Sequence, residues 1–399
     1  MRYTLPQQFE PLLPQTRLEE LFALAQSVTE TSLGLRGALH PTTAATLARL
    51  LRAMNSYYSN KIEGHSTHPL NIARGLREDF SRKPKVAQLQ RIALAHIEAE
   101  EEIESWISSD PNFSPLSAEG IRRIHHALYR RLPAKDRMMG GAKDERIVEP
   151  GVWRDTDVEV GRHVPPTHES MLGFLARYQQ AYDGHASWDK QLLKIASAHQ
   201  RLTWIHPFLD GNGRVARLAT HAALYRDFTG GLWSVCRGLA RTQQDYYARL
   251  EAADEPRRGD LDGRGNLTEE GLRQFCHYFL TVCRDQVEFM RNMLDIDGIR
   301  ARIRALVVFR SETDKQIRRE AELPLHYLFT AGPLTRAEFK QMTGLGDKVA
   351  QTLLSNLLKA QLVESDTPLG PVRFGLPLDA LQFYFPDLYP EAATRVDEA

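Results

Sequence analysis

The chain has 399 residues, 42% apolar and 26% charged, the balance of an ordinary globular protein with room for two or three domains. Acidic and basic residues are equal at 51 each, which excludes a global field directed at nucleic acid or an anionic membrane. Three cysteines, Cys236, Cys276 and Cys283, form no CxxC pair and suit free thiols in a reducing cytosol. With no signal-peptide pattern and no run of ~18 apolar residues, a soluble, cytoplasmic protein is expected.

In chain order, helical periodicity dominates. "LEELFALAQSV" opens the pattern, and a long helix then carries Leu47, Leu50, Leu51, Met54 and Tyr58 at threes and fours until Gly64. "VAQLQRIALAHIEAEEEIESWI" predicts another amphipathic helix, and Ser117 is placed to cap the next. The best strand signal lies at 152–163, where Val158 and Val160 alternate with polar neighbours before Pro165-Pro166, and a short hairpin is expected there. Helices follow to residue 205, from 212 to the Gly230-Gly231 stop, over 242–254 and over 268–294. A charged helical connector follows. The last eighty residues predict three short helices, with a capping box at Thr335 and Glu338, and two strands around a Pro-Leu-Gly-Pro turn. That order describes a winged helix.

The stretch "HPFLDGNGRVAR", residues 206–217, concentrates the chemistry. A helix, a Gly-Asn-Gly turn and a second helix leave unpaired backbone N–H groups at the second helix's start, where the dipole also favours anions. Gly211 and Gly213 let a phosphate approach, and Arg214 and Arg217, three apart, bring two cations to one face. Asp210 is placed to hold Mg²⁺ on a phosphate chain, and His206 to take a proton from a hydroxyl. Together these parts describe phosphoryl or nucleotidyl transfer.

The same string matches HPFx(D/E)GNGRxxR without departure, and on it the chain resembles the Fic family, whose members mostly transfer AMP from ATP to a hydroxyl of a protein. The resemblance implies His206 as general base and Asp210 as the Mg²⁺ ligand. Gly211, Asn212, Gly213 and Arg214 would take the α- and β-phosphates, and Arg217 the γ-phosphate. "SNKIEG" upstream fits the family's inhibitory pattern (S/T)xxxE(G/N), so Ser59, Glu63 and Gly64 are expected to set Glu63 against Arg217. A carboxylate there competes with ATP for its seat. "RDTDVEVGRHVPP" resembles the flap that lays the target beside the nucleotide, with Val158, Glu159, Val160 and Gly161 lining it and His163 at its exit. Edge pairing would hold the target's backbone with little regard for sequence. "DYYARLEAAD" resembles the helix that supplies the adenine pocket through Tyr246 and Tyr247. Asp254 stands where members often carry asparagine, which puts a contact to the adenine in doubt.

The reading that follows is a mostly α-helical protein: an N-terminal inhibitory region (1–85), a Fic core (86–295), a connector (296–320) and a winged helix (321–399). Its expected activity is Mg²⁺- and ATP-dependent adenylylation of a protein Ser, Thr or Tyr hydroxyl, restrained by Glu63, with self-modification as a by-product. Two rivals are removal of AMP with Glu63 activating water, and a DNA-binding regulator whose core senses nucleotide. The terminal module carries six basic and ten acidic residues, a net of −4, which favours protein contact, in target docking or homodimerisation, over DNA. "DLDGRGNLTEEG" mimics a calcium loop, but Arg264 and Gly271 occupy ligand positions, so a polar loop ending in a Thr268 cap is expected.

Overall fold

A computed structural model describes residues 3–140, 145–313 and 317–393. The described residues contain sixteen α-helices, two two-stranded hairpins and short 3₁₀ and π turns joined by loops, so the mostly helical expectation holds. The amino-terminal helices are α1 (Leu18–Gly37), α2 (Pro41–Ile62), α3 (Pro69–Gly75), α4 (Pro84–Ser109) and α5 (Ala118–Tyr129). Strands β1 (Met138–Met139) and β2 (Arg146–Ile147) pair antiparallel, Met138 opposite Ile147. Helices α6 (Met171–Tyr182), α7 (Trp188–Ile205), α8 (Asn212–Leu224), α9 (Val235–Arg241), α10 (Gln243–Asp254), α11 (Glu269–Met293) and α12 (Ile296–Thr313) follow.

The pair α7 and α8 sits at the centre, with α1 and α11 packed on α7, and α4 and α5 on α8. Leu47, Leu51, Met54, Tyr58 and Ile62 of α2 are all buried, and that face lies on α4 and α9. Burying each such side chain stabilises by roughly 1.5–3 kcal/mol, which fixes the rotation of α2 and hence where Ser59 and Glu63 point. Local chemistry sets several boundaries. Ser117 accepts from Gly120 N–H at the start of α5, and Thr268 accepts from Gly271 N–H at the start of α11. Asp262, in the calcium-like loop, accepts from Arg258 N–H, Glu270 N–H and the Thr268 hydroxyl, the contacts of a structural loop.

The hairpin expected over 152–163 is not built as two strands. That segment is an extended loop with a single bridge, Val160 to His163, closed across Gly161 by reciprocal 3.0 Å hydrogen bonds. Its backbone is tied to the rest of the protein by Arg154 instead of by a partner strand. The alternating valines that suggest a strand lie near its tip, where Val158 is half-buried and Val160 exposed.

At the carboxy end, α13 (Glu322–Thr330), α14 (Arg336–Met342) and α15 (Asp347–Lys359) precede β3 (Val363–Glu364), β4 (Arg373–Phe374) and α16 (Leu381–Tyr384). The Thr335–Glu338 capping box forms, and Leu334 bridges Val372 beside the β3–β4 pair. This module packs on the outer side of α2. The Thr43 hydroxyl donates to Phe329 O at 2.8 Å, Arg49 pairs with Glu364 at 2.9 Å, and the Tyr58 hydroxyl donates to Glu391 at 2.9 Å. Among the described residues no helix is long and apolar enough to cross a membrane.

Candidate active site

Two helix ends meet at the motif. His206 ends α7 in the left-handed conformation (φ 50°), an uncommon one for a residue with a side chain. Gly211 precedes α8 at φ 81°, and a Cβ there would lie 2.5 Å from the Tyr129 ring, so both the turn and the close approach require glycine. Asn212 is buried, and its side chain clamps the loop: Oδ1 accepts from Phe208 N–H at 2.9 Å while Nδ2 donates to Phe208 O at 2.8 Å. Its contribution to an anion pocket is therefore limited to its backbone. The first-turn N–H groups of α8 have no intrahelical acceptors and mark an anion seat.

A carboxylate already reaches that seat. Glu63, at the end of α2, accepts from Arg217 Nη2 at 2.6 Å. A Cβ on Gly213 would stand 2.3 Å from Glu63 Oε1, so the carboxylate lies against the first turn of α8 itself. Arg217 is held further by the Ser59 hydroxyl (2.9 Å) and the Ser59 carbonyl (3.0 Å). Gly64 follows at φ 73° and turns the chain away from α2. Burial pushes the Glu63 carboxyl up, but the charge and hydrogen bond of Arg217 outweigh it, leaving it below the usual carboxylate range.

The second arginine has a different partner set. Arg214 donates to Asp210 Oδ2 (3.1 Å) and to the Tyr129 hydroxyl (2.8 Å), which itself donates to Asp210 Oδ2 (2.5 Å). Burial raises the Asp210 carboxyl, and Arg214 with Tyr129 pulls it back below its ordinary value, so it is ionised at neutral pH. Its side chain is 47% exposed, a hard oxygen donor open to the anion seat. Those properties fit a Mg²⁺ ion completed by phosphate oxygens.

His206 is kept neutral. Burial, with the field of His163 next, lowers its pKa to about 4. The loop that carries it is anchored by Arg154, a buried residue that motif spacing did not single out. Arg154 Nε donates to His206 O at 2.8 Å, Nη1 to Thr156 O at 3.0 Å and Nη2 to Pro166 O at 2.5 Å. One guanidinium thus fastens both ends of the 154–166 loop to the histidine. Truncation in Arg154→Ala leaves those carbonyls unpaired and is expected to reduce stability by about 2–4 kcal/mol, read by urea unfolding. An unchanged midpoint would show that the clamp is replaceable by water.

His163 closes the same loop. Its Nε2 faces Trp204 O at 2.7 Å, and because a carbonyl only accepts, Nε2 carries the proton. Its Nδ1 then accepts from Asp254 Oδ2 at 3.2 Å, which requires a protonated carboxyl. Burial supplies it by pushing Asp254 up to about 8. A neutral Asp254 offers one donor and one acceptor, as an asparagine does. At the loop's tip Glu159, Val160 and Gly161 are exposed.

The tyrosine pair divides. Tyr247 is 44% exposed, its hydroxyl donating to Ile62 O at 2.9 Å one residue before Glu63. Tyr246 is only 1% exposed and bonds to His199 Nε2 at 2.8 Å, so it is a core residue and not the pocket wall expected from the sequence. Motif spacing also missed Tyr129 and His125. The His125 ring stacks between Tyr129 (4.4 Å) and Phe208 (3.8 Å) beneath the turn.

Helix, glycine turn and helix bring a neutral histidine, an ionised aspartate and two buried arginines together around the start of α8, an arrangement suited to an anion. Residues 115–224 match the Fic/DOC family. It is 32% identical over 211 residues to a protein adenylyltransferase Fic of Nematostella vectensis, covering 51% of this chain and 43% of that one. It is 38% identical over 80 residues to the protein of the same name from Drosophila grimshawi, covering 20% and 17%. The chain spans less than half the length of these curated relatives. Its fold is similar to Fic-1 from C. elegans, with a TM-score of 0.51 at 17% identity over 69% of this chain and 72% of that one.

Proposed function

We propose that the protein transfers AMP from ATP to a protein hydroxyl and that Glu63 restrains the reaction. The observation that carries this reading is the Glu63 carboxylate held on Arg217 against Gly213, where a phosphate chain would have to lie. His206 is the base: neutral at physiological pH, it takes the proton of the attacking Ser, Thr or Tyr hydroxyl. First-turn N–H groups of α8 and Arg214 bind the α- and β-phosphates, and Arg217, once free of Glu63, binds the γ-phosphate. Asp210 would hold Mg²⁺, which neutralises phosphate charge when bound. The 154–166 loop, fixed at both ends by Arg154 and exposed at its tip, is the surface that receives the target's extended backbone.

On this reading the chain divides into an inhibitory region, a core, a connector and a terminal module. The contacts of Phe329, Glu364 and Glu391 with α2 support a protein-contact role for the terminal module, whose net charge is unfavourable for DNA. Intact-mass spectrometry after incubation with ATP and Mg²⁺ tests the activity: additions of one AMP are expected, and their absence from every variant would move AMP removal ahead.

A further inference from the structure

Behind the anion seat, α2, α4 and α8 enclose a polar cluster that the proposed reaction does not use. Glu100 and Glu104, one turn apart on α4, are 1% and 3% exposed, and His221, one turn beyond Arg217 on α8, is 4% exposed. His221 Nε2 lies 2.9 Å from Glu104 Oε1 and 3.6 Å from Glu100 Oε1. Donor atoms of all three residues fall within 4.8 Å of one another. Two carboxylates and an imidazole in so dry a place need positive charge between them.

Arg52 supplies part of that charge, and the rest falls to a proton on His221 or to a cation in that proton's place. Arg52 binds Glu104 through Oε2 (2.9 Å), which leaves Oε1 facing His221. Asn55 of α2 donates to Glu100 Oε1 at 2.7 Å. A second, separate observation points to a missing ligand. His96, 1% exposed, has no hydrogen-bond partner for either ring nitrogen among the described residues, yet its Nδ1 is only 3.7 Å from Glu100 Oε2. Asn55 Oδ1 is likewise buried and unpaired. Buried polar atoms without partners beside two buried carboxylates call for a bound ion or water.

We propose that Glu100, Glu104 and His221 bind one first-row divalent cation, with Zn²⁺ the best match, tying α4 to α8 behind Arg217. The separations of 2.9 and 3.6 Å from His221 Nε2 to the two carboxylates suit a polyhedron with metal–ligand bonds of about 2.0–2.2 Å. A mixed imidazole and carboxylate set suits zinc or its neighbours better than Mg²⁺ or Ca²⁺. On binding, the cation replaces the proton His221 shares with Glu104, and Arg52 and Asn55 remain as the outer contacts that orient the carboxylates. Through Asn55 the site also holds α2 one turn before Ser59.

The site is closed to solvent, so the cation enters as the chain folds. The test is therefore metal content of full-length protein refolded with Zn²⁺ and dialysed against metal-free buffer. About one zinc per chain is expected in wild type and in Asp210→Asn, which separates this site from the nucleotide-linked Mg²⁺. Glu100→Gln keeps an acceptor for Asn55 and should fold, with far-UV circular dichroism as the check. Because loss of an outer-shell contact alone weakens metal binding roughly 10- to 100-fold, loss of this ligand should weaken zinc by more than about 100-fold. A Co²⁺-refolded wild type gives a readout independent of any variant, with visible d–d bands and no thiolate charge-transfer band. Zinc content near zero in wild type, unchanged retention in folded Glu100→Gln, or a thiolate band would each overturn the assignment.

Discussion

Glu63→Gly is expected to convert a protein that gains few AMP adducts into one that modifies itself or its target readily. In the wild type the Arg217 guanidinium is almost fully buried and paired with Glu63, whose side chain is 31% exposed. A nucleotide must displace that carboxylate before its γ-phosphate can reach Arg217. With a charged hydrogen bond valued at about 2–3 kcal/mol, removal of the competitor should raise apparent ATP affinity roughly 30- to 150-fold. The same change leaves Arg217 buried without its partner, so the variant should be less stable than wild type when no nucleotide is present. ATP with Mg²⁺ should then raise its Tm by more than it raises that of wild type. Intact-mass spectrometry and thermal shift measure the two effects on the same samples. A gain in stability with no gain in adducts would leave Glu63 as a mere helix-end contact. Loss of AMP removal from a premodified target, without gain of transfer, would instead favour Glu63 as an activator of water.

Much of this site is written in consecutive residues. His206, Asp210, Gly211, Gly213, Arg214 and Arg217 lie within twelve positions, and a tight turn between two helices brings them together whatever the rest of the chain does. Helix starts at Ser117, Thr268 and Thr335 were legible for the same reason, since a cap is satisfied within three residues. What could not be read acts across distance. Tyr129 reaches Asp210 from 81 residues away and Arg154 reaches His206 from 52, each from within a segment whose local pattern says only helix or strand. The short α9, seven residues long, is too brief to display a period. Tyr246 and Tyr247 are adjacent and of one type, yet α10 turns one into the core and the other outward, which depends on what α10 packs against. The 152–163 segment misled through its valines, because alternation signals a strand only where one face is buried.

His206→Ala, made in the Glu63→Gly background, should lose AMP transfer by roughly 10²- to 10⁴-fold while still binding ATP, since a general base contributes on that scale. The pH profile separates a base from a residue that merely shapes the loop. An exposed histidine would give an acid limb near its ordinary 6.5, whereas burial lowers His206 to about 4. In the Glu63→Gly protein kcat/KM should therefore hold from neutral pH down through 6 and fall only as pH approaches about 4. Stability follows the same group with a definite sign. The unfolded chain binds this proton at its ordinary pKa and the folded chain does not, so His206 favours the fold fully above 6.5 and progressively less as pH falls from 6.5 toward 4. The Glu63 pairing runs in a lower window. Its carboxyl lies below the ordinary 4.5, so its contribution is complete above 4.5 and is lost only as pH falls through the depressed folded value. Restraint should thus persist in wild type across the whole range in which the base works. An acid limb near 6.5 in Glu63→Gly would place the proton acceptor on another, more exposed group.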